Sequence, residues 1–168
     1  TGVQTCAFLL GETGVYTVYY LPRLNYVFVE QTDAVYPNAL WLVGVGMGPA
    51  RTPGVKTSSW NWNSPLEYRF CRKVSEGVFE TVFYANHEVD PTAAEPWRLT
   101  FGVKFMHQRN WGNEESSQNY AMPNSYLYSP SPNDKGNFNG TAEFANLPGI
   151  YRFTIDINNK TTSFVKIK

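Results

Sequence analysis

Two short runs carry residue types from which a binding chemistry can be built. Trp60-Asn61-Trp62-Asn63 sets two indoles among amides, and Arg109-Asn110-Trp111-Gly112-Asn113 sets one indole between a guanidinium and further amides. An indole offers a flat apolar surface with a negative quadrupole face. Amide and cationic side chains add directional donors and acceptors beside it. Together they suit a ligand with one apolar face and a polar rim. A pyranose is such a ligand, with C–H bonds to lay on the ring and hydroxyls to meet the polar groups. Lys104 joins this set because it stands on the strand that leads into Trp111. The candidate ligand-binding residues are therefore Trp60, Trp62, Lys104, Arg109, Asn110 and Trp111. Arg109 has a second reading, a cation–π contact with a tryptophan and no ligand role.

Other chemistries find less support. Glycoside hydrolysis needs two carboxylates at a fixed separation. Glu88, Asp90, Glu114 and Glu115 lie in loop-like sequence, and no spacing selects a pair. Cys6 and Cys71 each sit in an apolar run and read as buried thiols, or as an inter-strand disulfide in an oxidising compartment. A cysteine nucleophile needs a histidine partner, and His87 and His107 have no recognisable relation to either thiol. Neither histidine has a close Cys or His partner, so no metal or cofactor is expected. Gly44-Val45-Gly46-Met47-Gly48 superficially resembles a dinucleotide loop, but Pro49 and Pro53 forbid the helix such a loop must enter. The glycines read instead as a tight, irregular exit from a strand.

The elements that must position these residues are strands. Leu99, Phe101, Val103 and Phe105 alternate with Thr100, Gly102, Lys104 and Met106, the period of a half-buried strand. One long strand with its polar aromatic exit is expected over residues 97–111, with Lys104 on the face away from the core. Residues 15–21 and 26–31 are rich in Tyr, Val and Phe and predict two earlier strands. The apolar run 39–44 suits a strand covered on both faces, which makes Trp41 a core residue. Residues 66–74 and 78–84 predict a hairpin turning at Ser75-Glu76-Gly77. Trp97, after Pro96, reads as a cap on the core. Residues 49–65 form a loop longer than the about 12–15 residues usual in compact domains, and such loops are commonly functional. A short strand is expected at 126–128 within a loop-like stretch, and the chain closes with strands 150–157 and 162–167 around Asn158-Asn159-Lys160. No amphipathic helix of useful length is apparent.

Composition agrees. The 168 residues are 42% hydrophobic, 16% aromatic and only 17% charged, with 13 Gly and 11 Pro. That balance predicts an all-β, turn-rich extracellular module with enough chain to bury a core. Fourteen Lys and Arg balance fourteen Asp and Glu, so nothing supports a nucleic-acid or anionic-membrane partner. No stretch approaches the about 18 apolar residues of a membrane span. A start at Thr1, without Met or a signal segment, suggests a processed or truncated product.

Four segments in order carry a family likeness: Leu40-Trp41-Leu42-Val43-Gly44, then Glu76-Gly77-Val78-Phe79-Glu80-Thr81-Val82-Phe83, then Gly102-Val103-Lys104-Phe105 followed by Asn110-Trp111-Gly112-Asn113, and the closing Pro148-Gly149-Ile150-Tyr151-Arg152-Phe153-Thr154-Ile155-Asp156-Ile157-Asn158. Over residues 38–168 the chain resembles the glycan-binding modules of SusE/SusF-type outer-membrane lipoproteins. The resemblance implies an antiparallel β-sandwich of immunoglobulin-like, carbohydrate-binding-module type. It also implies a non-catalytic module on the surface of a Gram-negative bacterium that binds starch-like α-glucan polysaccharide for an outer-membrane uptake complex. Lys104 and Trp111 match family positions that contact sugar, while Trp60 and Trp62 match by position alone. Residues 1–37 fall outside the likeness and read as added strands or the end of a preceding domain. The alternatives are a structural or assembly module without its own sugar site, and a β-sandwich glycoside hydrolase.

Overall fold

A computed structural model of the chain describes residues 13–21, 26–32, 39–50, 60–62, 70–85, 101–123, 128–130, 136–141 and 147–168. Cys6, Asn63, His87, Glu88, Asp90, Trp97, Leu99 and Thr100 lie outside the described residues, as do residues 66–69 of the expected hairpin. The protein is all-β and antiparallel, as its alternating and aromatic sequence requires. Its strands are β1 (Tyr16–Leu21), β2 (Tyr26–Gln31), β3 (Leu40–Val45), β4 (Met47–Pro49), β5 (Phe70–Ser75), β6 (Val78–Ala85), β7 (Gly102–Met106), β8 (Glu114–Glu115), β9 (Tyr128–Pro130), β10 (Phe138–Gly140), β11 (Gly149–Asp156) and β12 (Thr161–Lys166).

β1 and β2 make a separate two-stranded ribbon. The other strands join one curled sheet in the order β12-β11-β6-β5-β3-β7-β10-β9, with β4 on β6 and β8 on β7. Two strands carry the chain around the bend. Phe70 and Cys71 of β5 pair with β3, whereas Arg72 to Ser75 pair with β6 across a register shift. β3 bonds to β5 and β7, then passes through Gly46 at φ 74° into β4, which bonds to β6. A residue with a Cβ resists that φ, so the glycine-rich exit of β3 is the corner of the sheet.

The two halves of the curled sheet face each other across one core. Phe79, Phe83, Tyr151, Phe153, Ile155 and Phe164 meet Leu40, Leu42, Val103, Phe105, Tyr128 and Phe138. Phe153 lies at the centre, its ring 5.0 Å from Phe105, 5.4 Å from Tyr128 and 5.6 Å from Phe138. Alternation along β7 sends Val103 and Phe105 into this core and leaves Gly102, Lys104 and Met106 for the opposite face.

That opposite face is itself partly covered. Trp41 is buried there between Phe70, 5.1 Å away, and Tyr19 of β1, 5.4 Å away, with Trp62 packed against the group. An aromatic side chain removes roughly 150–250 Å² from water. At about 25 cal/mol per Å² this amounts to at most about 4–6 kcal/mol. β3 is thus covered on both faces, as its unbroken apolar sequence predicts. Cys71 is a free, buried thiol, and burial pushes it far above its ordinary pKa. The described part of the expected long strand holds regular pairing only from Gly102 to Met106. Past that point His107 closes a loop, its N–H donating to the Asn113 carbonyl. Of the strand expected at 126–128, residues 126 and 127 lie outside the described residues and Tyr128 begins β9; the short β4, β8 and β10 have no periodic signal because each is only two or three residues long.

Candidate binding pocket

The pocket is built on the outer face of β7. Gly102 begins the strand, and Asn139 of β10 pairs with it. The indole of Trp60 lies over this glycine. A Cβ at residue 102 would stand 3.6 Å from Trp60 Cζ2 and 2.8 Å from Asn139 Oδ1. Two residues on, Lys104 points to the same face. Trp60, Lys104, Trp111 and Asn137 line one open pocket of about 280 Å³. That is near the lower end of the roughly 300–1,000 Å³ usual for small-ligand sites.

The loop that presents Trp111 is determined locally. β8 returns antiparallel to β7, with Glu114 opposite Met106 and Glu115 opposite Phe105. Gly112 at φ 104° and Asn113 at φ 50° supply the left-handed turn, the conformation that glycine and asparagine tolerate best. Gln108 Nε2 donates to the Trp111 carbonyl at 2.8 Å, and the Trp111 N–H donates to Asn110 Oδ1 at 2.8 Å. With its backbone held on both sides, Trp111 is left 47% exposed. Trp62 meets that indole edge-on at 6.0 Å and 72°. Arg109 Nη2 donates to the Trp62 carbonyl at 3.3 Å and so ties the two aromatic segments together.

The structure thus brings Trp60, Lys104 and Trp111 to one cavity. Trp62 stands behind Trp111, Arg109 bridges the loops, and Asn110 caps the Trp111 backbone. Two residues at or beside the pocket were not among the ligand-binding candidates: Asn137, which the sequence reading did not name, and Glu114, which it weighed only as a carboxylate for hydrolysis. Asn137 belongs to an Asn- and Gly-rich stretch with no period of its own, and only the pairing of β10 with β7 brings it here. Glu114 places its oxygens 3.0 and 3.2 Å from Lys104 Nζ. Its signal was a Lys and a Glu flanking a Gly-Asn turn. Side-chain exposures of 16% for Lys104 and 36% for Glu114 put the pair in the wet range where ion pairs add about 0–1 kcal/mol. Its effect is on orientation more than on stability.

No family model, curated protein or solved structure matches the chain.

Glu115 does something different from its neighbour. Its carboxylate accepts from the Tyr120 hydroxyl at 2.6 Å and Lys160 Nζ at 3.1 Å, and lies 2.8 Å from His107 Nε2. The His107 hydrogen bond foremost, then those from Tyr120 and Lys160, hold it at about pKa 2 against the opposing effect of burial. Burial and the adjacent Glu115 raise the Tyr120 phenol well above its ordinary value. Lys160 reaches this cluster from the β11–β12 turn, where it adopts φ 53°. Glu114 and Glu115 thus engage different groups on opposite sides of β8, as alternation demands. They do not converge on one bond. Among the described residues no helix is long and apolar enough to cross a membrane.

Proposed function

We propose that this protein is a non-catalytic glycan-binding module that holds polysaccharide by indole stacking and by hydrogen bonds from Lys, Arg and Asn side chains. One observation carries the reading: Trp60 and Trp111, far apart in sequence, line the same open pocket as Lys104 and Asn137. Indole faces take the apolar side of a pyranose, and the polar groups take its hydroxyls. The likeness to SusE/SusF-type modules supports an α-glucan as ligand. It also supports a place on a Gram-negative outer-membrane surface, delivering polysaccharide to an uptake complex.

Affinity electrophoresis through gels containing soluble starch, galactomannan or mixed-linkage β-glucan tests the reading. The wild type is expected to be retarded by at least one of them and to release no reducing sugar. Trp111→Ala and Trp60→Ala are each expected to weaken binding by about tenfold or more, which is about 1.4 kcal/mol. A wild type that migrates freely through every gel, or a Trp60→Ala/Trp111→Ala variant retarded as strongly as wild type, removes the reading.

A second reading, an assembly module without its own sugar site, draws on a different observation. Val15, Val18 and Tyr20 on and beside β1 are 76%, 61% and 61% exposed. Free migration in every gel would favour it.

A further inference from the structure

Glu114 stands outside the ligand-binding set named from the sequence, yet it is the described acidic group joined to the pocket cation. Both of its oxygens lie within 3.2 Å of Lys104 Nζ. Its other side is backed by Gly136, where a Cβ would come within 3.0 Å of Oε1, so the chain leaves room for the carboxylate at that point. Lys104 is one of the residues lining the cavity.

We infer that Glu114 is a specificity-determining residue of the pocket: it neutralises Lys104, adds an acceptor for a sugar hydroxyl, and selects uncharged sugars over carboxylated ones. This rests on the reading of the pocket as a glycan site. An ammonium has three donors and a carboxylate about four acceptor positions, so the pair keeps hydrogen-bonding capacity after its own contact is made. Vicinal hydroxyls, each able to donate and accept, match a donor and an acceptor set about 3 Å apart. A sugar carboxylate meets the opposite situation. It must shed water between indoles, and the cation that could compensate it already has a carboxylate partner. With Glu114 uncharged, Lys104 becomes an unneutralised ammonium at the pocket and attracts the anion.

The test uses the full chain and binding isotherms on bead-coupled soluble starch, galactomannan and mixed-linkage β-glucan. The same three polymers are also used after oxidation of their primary alcohols to carboxylates. Wild type is expected to bind the parent polymer at least about tenfold more tightly than its carboxylated form. Glu114→Gln is expected to bring that ratio to unity or invert it, and about 0.5 M salt should erase the variant's gain by screening Lys104. Glu114→Asp, which keeps the charge, should retain the wild-type preference, and melting curves confirm that both variants are folded. Equal wild-type affinity for parent and carboxylated polymers overturns the inference, as does a Glu114→Gln variant with the wild-type ratio. If Trp111→Ala loses the parent polymers while Glu114→Gln keeps the wild-type ratio, the role of Glu114 fails and the glycan site stands. If wild type binds none of the beads, or Trp60→Ala/Trp111→Ala binds as tightly as wild type, both fail together.

Discussion

At the residue scale the two adjacent glutamates divide two tasks. Glu114 serves the pocket through Lys104, and Glu115 braces the base of the same loop through His107, Tyr120 and Lys160. The Glu115 carboxyl is held at about 2 against an ordinary 4.5. A group whose folded pKa is depressed stabilises the fold above its unfolded value and loses that contribution as pH falls toward the folded one. The window for Glu115 therefore runs from about pH 4.5 down to about pH 2. Glu115→Gln is expected to cost about 1–3 kcal/mol at neutral pH, and the gap to wild type should narrow as pH falls through that window. Urea titrations at a series of pH values measure it, and a gap independent of pH would remove the carboxylate from the account. Trp111→Ala is expected to behave differently. The residue is half exposed and makes an edge-on contact to Trp62, so its loss should cost only about 0.5–1.5 kcal/mol of stability while losing ligand.

At the element scale the strand pair β3 and β7 carries the site, and it tolerates little change. A Cβ on Gly44 would stand 1.9 Å from the Gly102 carbonyl oxygen and 2.8 Å from the Val103 Cα. Those are backbone atoms in a paired strand, so nothing can turn aside. Gly44→Ala is expected to destabilise by about 2–4 kcal/mol, read from the denaturation midpoint. Gly14→Ala is the control. Its Cβ would meet the end of the flexible Gln31 side chain at 3.3 Å, and the change should stay within about 0.5 kcal/mol. If both variants cost the same, close approach of β3 and β7 is not what constrains residue 44.

At the scale of the whole molecule the curled sheet closes over an aromatic core that backs the strand under the pocket. Phe153 touches rings from both halves, Phe105, Tyr128 and Phe138 on one side and Phe164 on its own. Phe153→Ala is expected to cost about 3–5 kcal/mol in equilibrium unfolding. Ligand binding by the folded fraction should persist, since Phe153 lies beneath β7 on the face away from Lys104. The ribbon of β1 and β2 adds a cover on the outer face through Tyr19 and Trp41, and so links residues before 38 to the remainder by packing.

The amino-acid sequence alone determined the local features of this protein. Period-two alternation sets the β class and the inward face of β7. The unbroken apolar run of β3 announces two covered faces, Gly77 at φ 73° marks the hairpin turn, and Trp-Gly-Asn makes the left-handed exit that presents Trp111. Each depends on neighbours a few residues apart, where sterics and side-chain period act directly. Only the tertiary structure decided which distant groups meet. Trp60 over Gly102, Asn137 beside Lys104, and the turn at Lys160 under Glu115 all depend on long-range strand pairing. That pairing is chosen by the burial of the whole core, and no window of sequence contains it. The corner at Gly46 illustrates the division. The glycine is plain in the sequence, but that it lets the sheet double back onto itself follows from β4 finding β6.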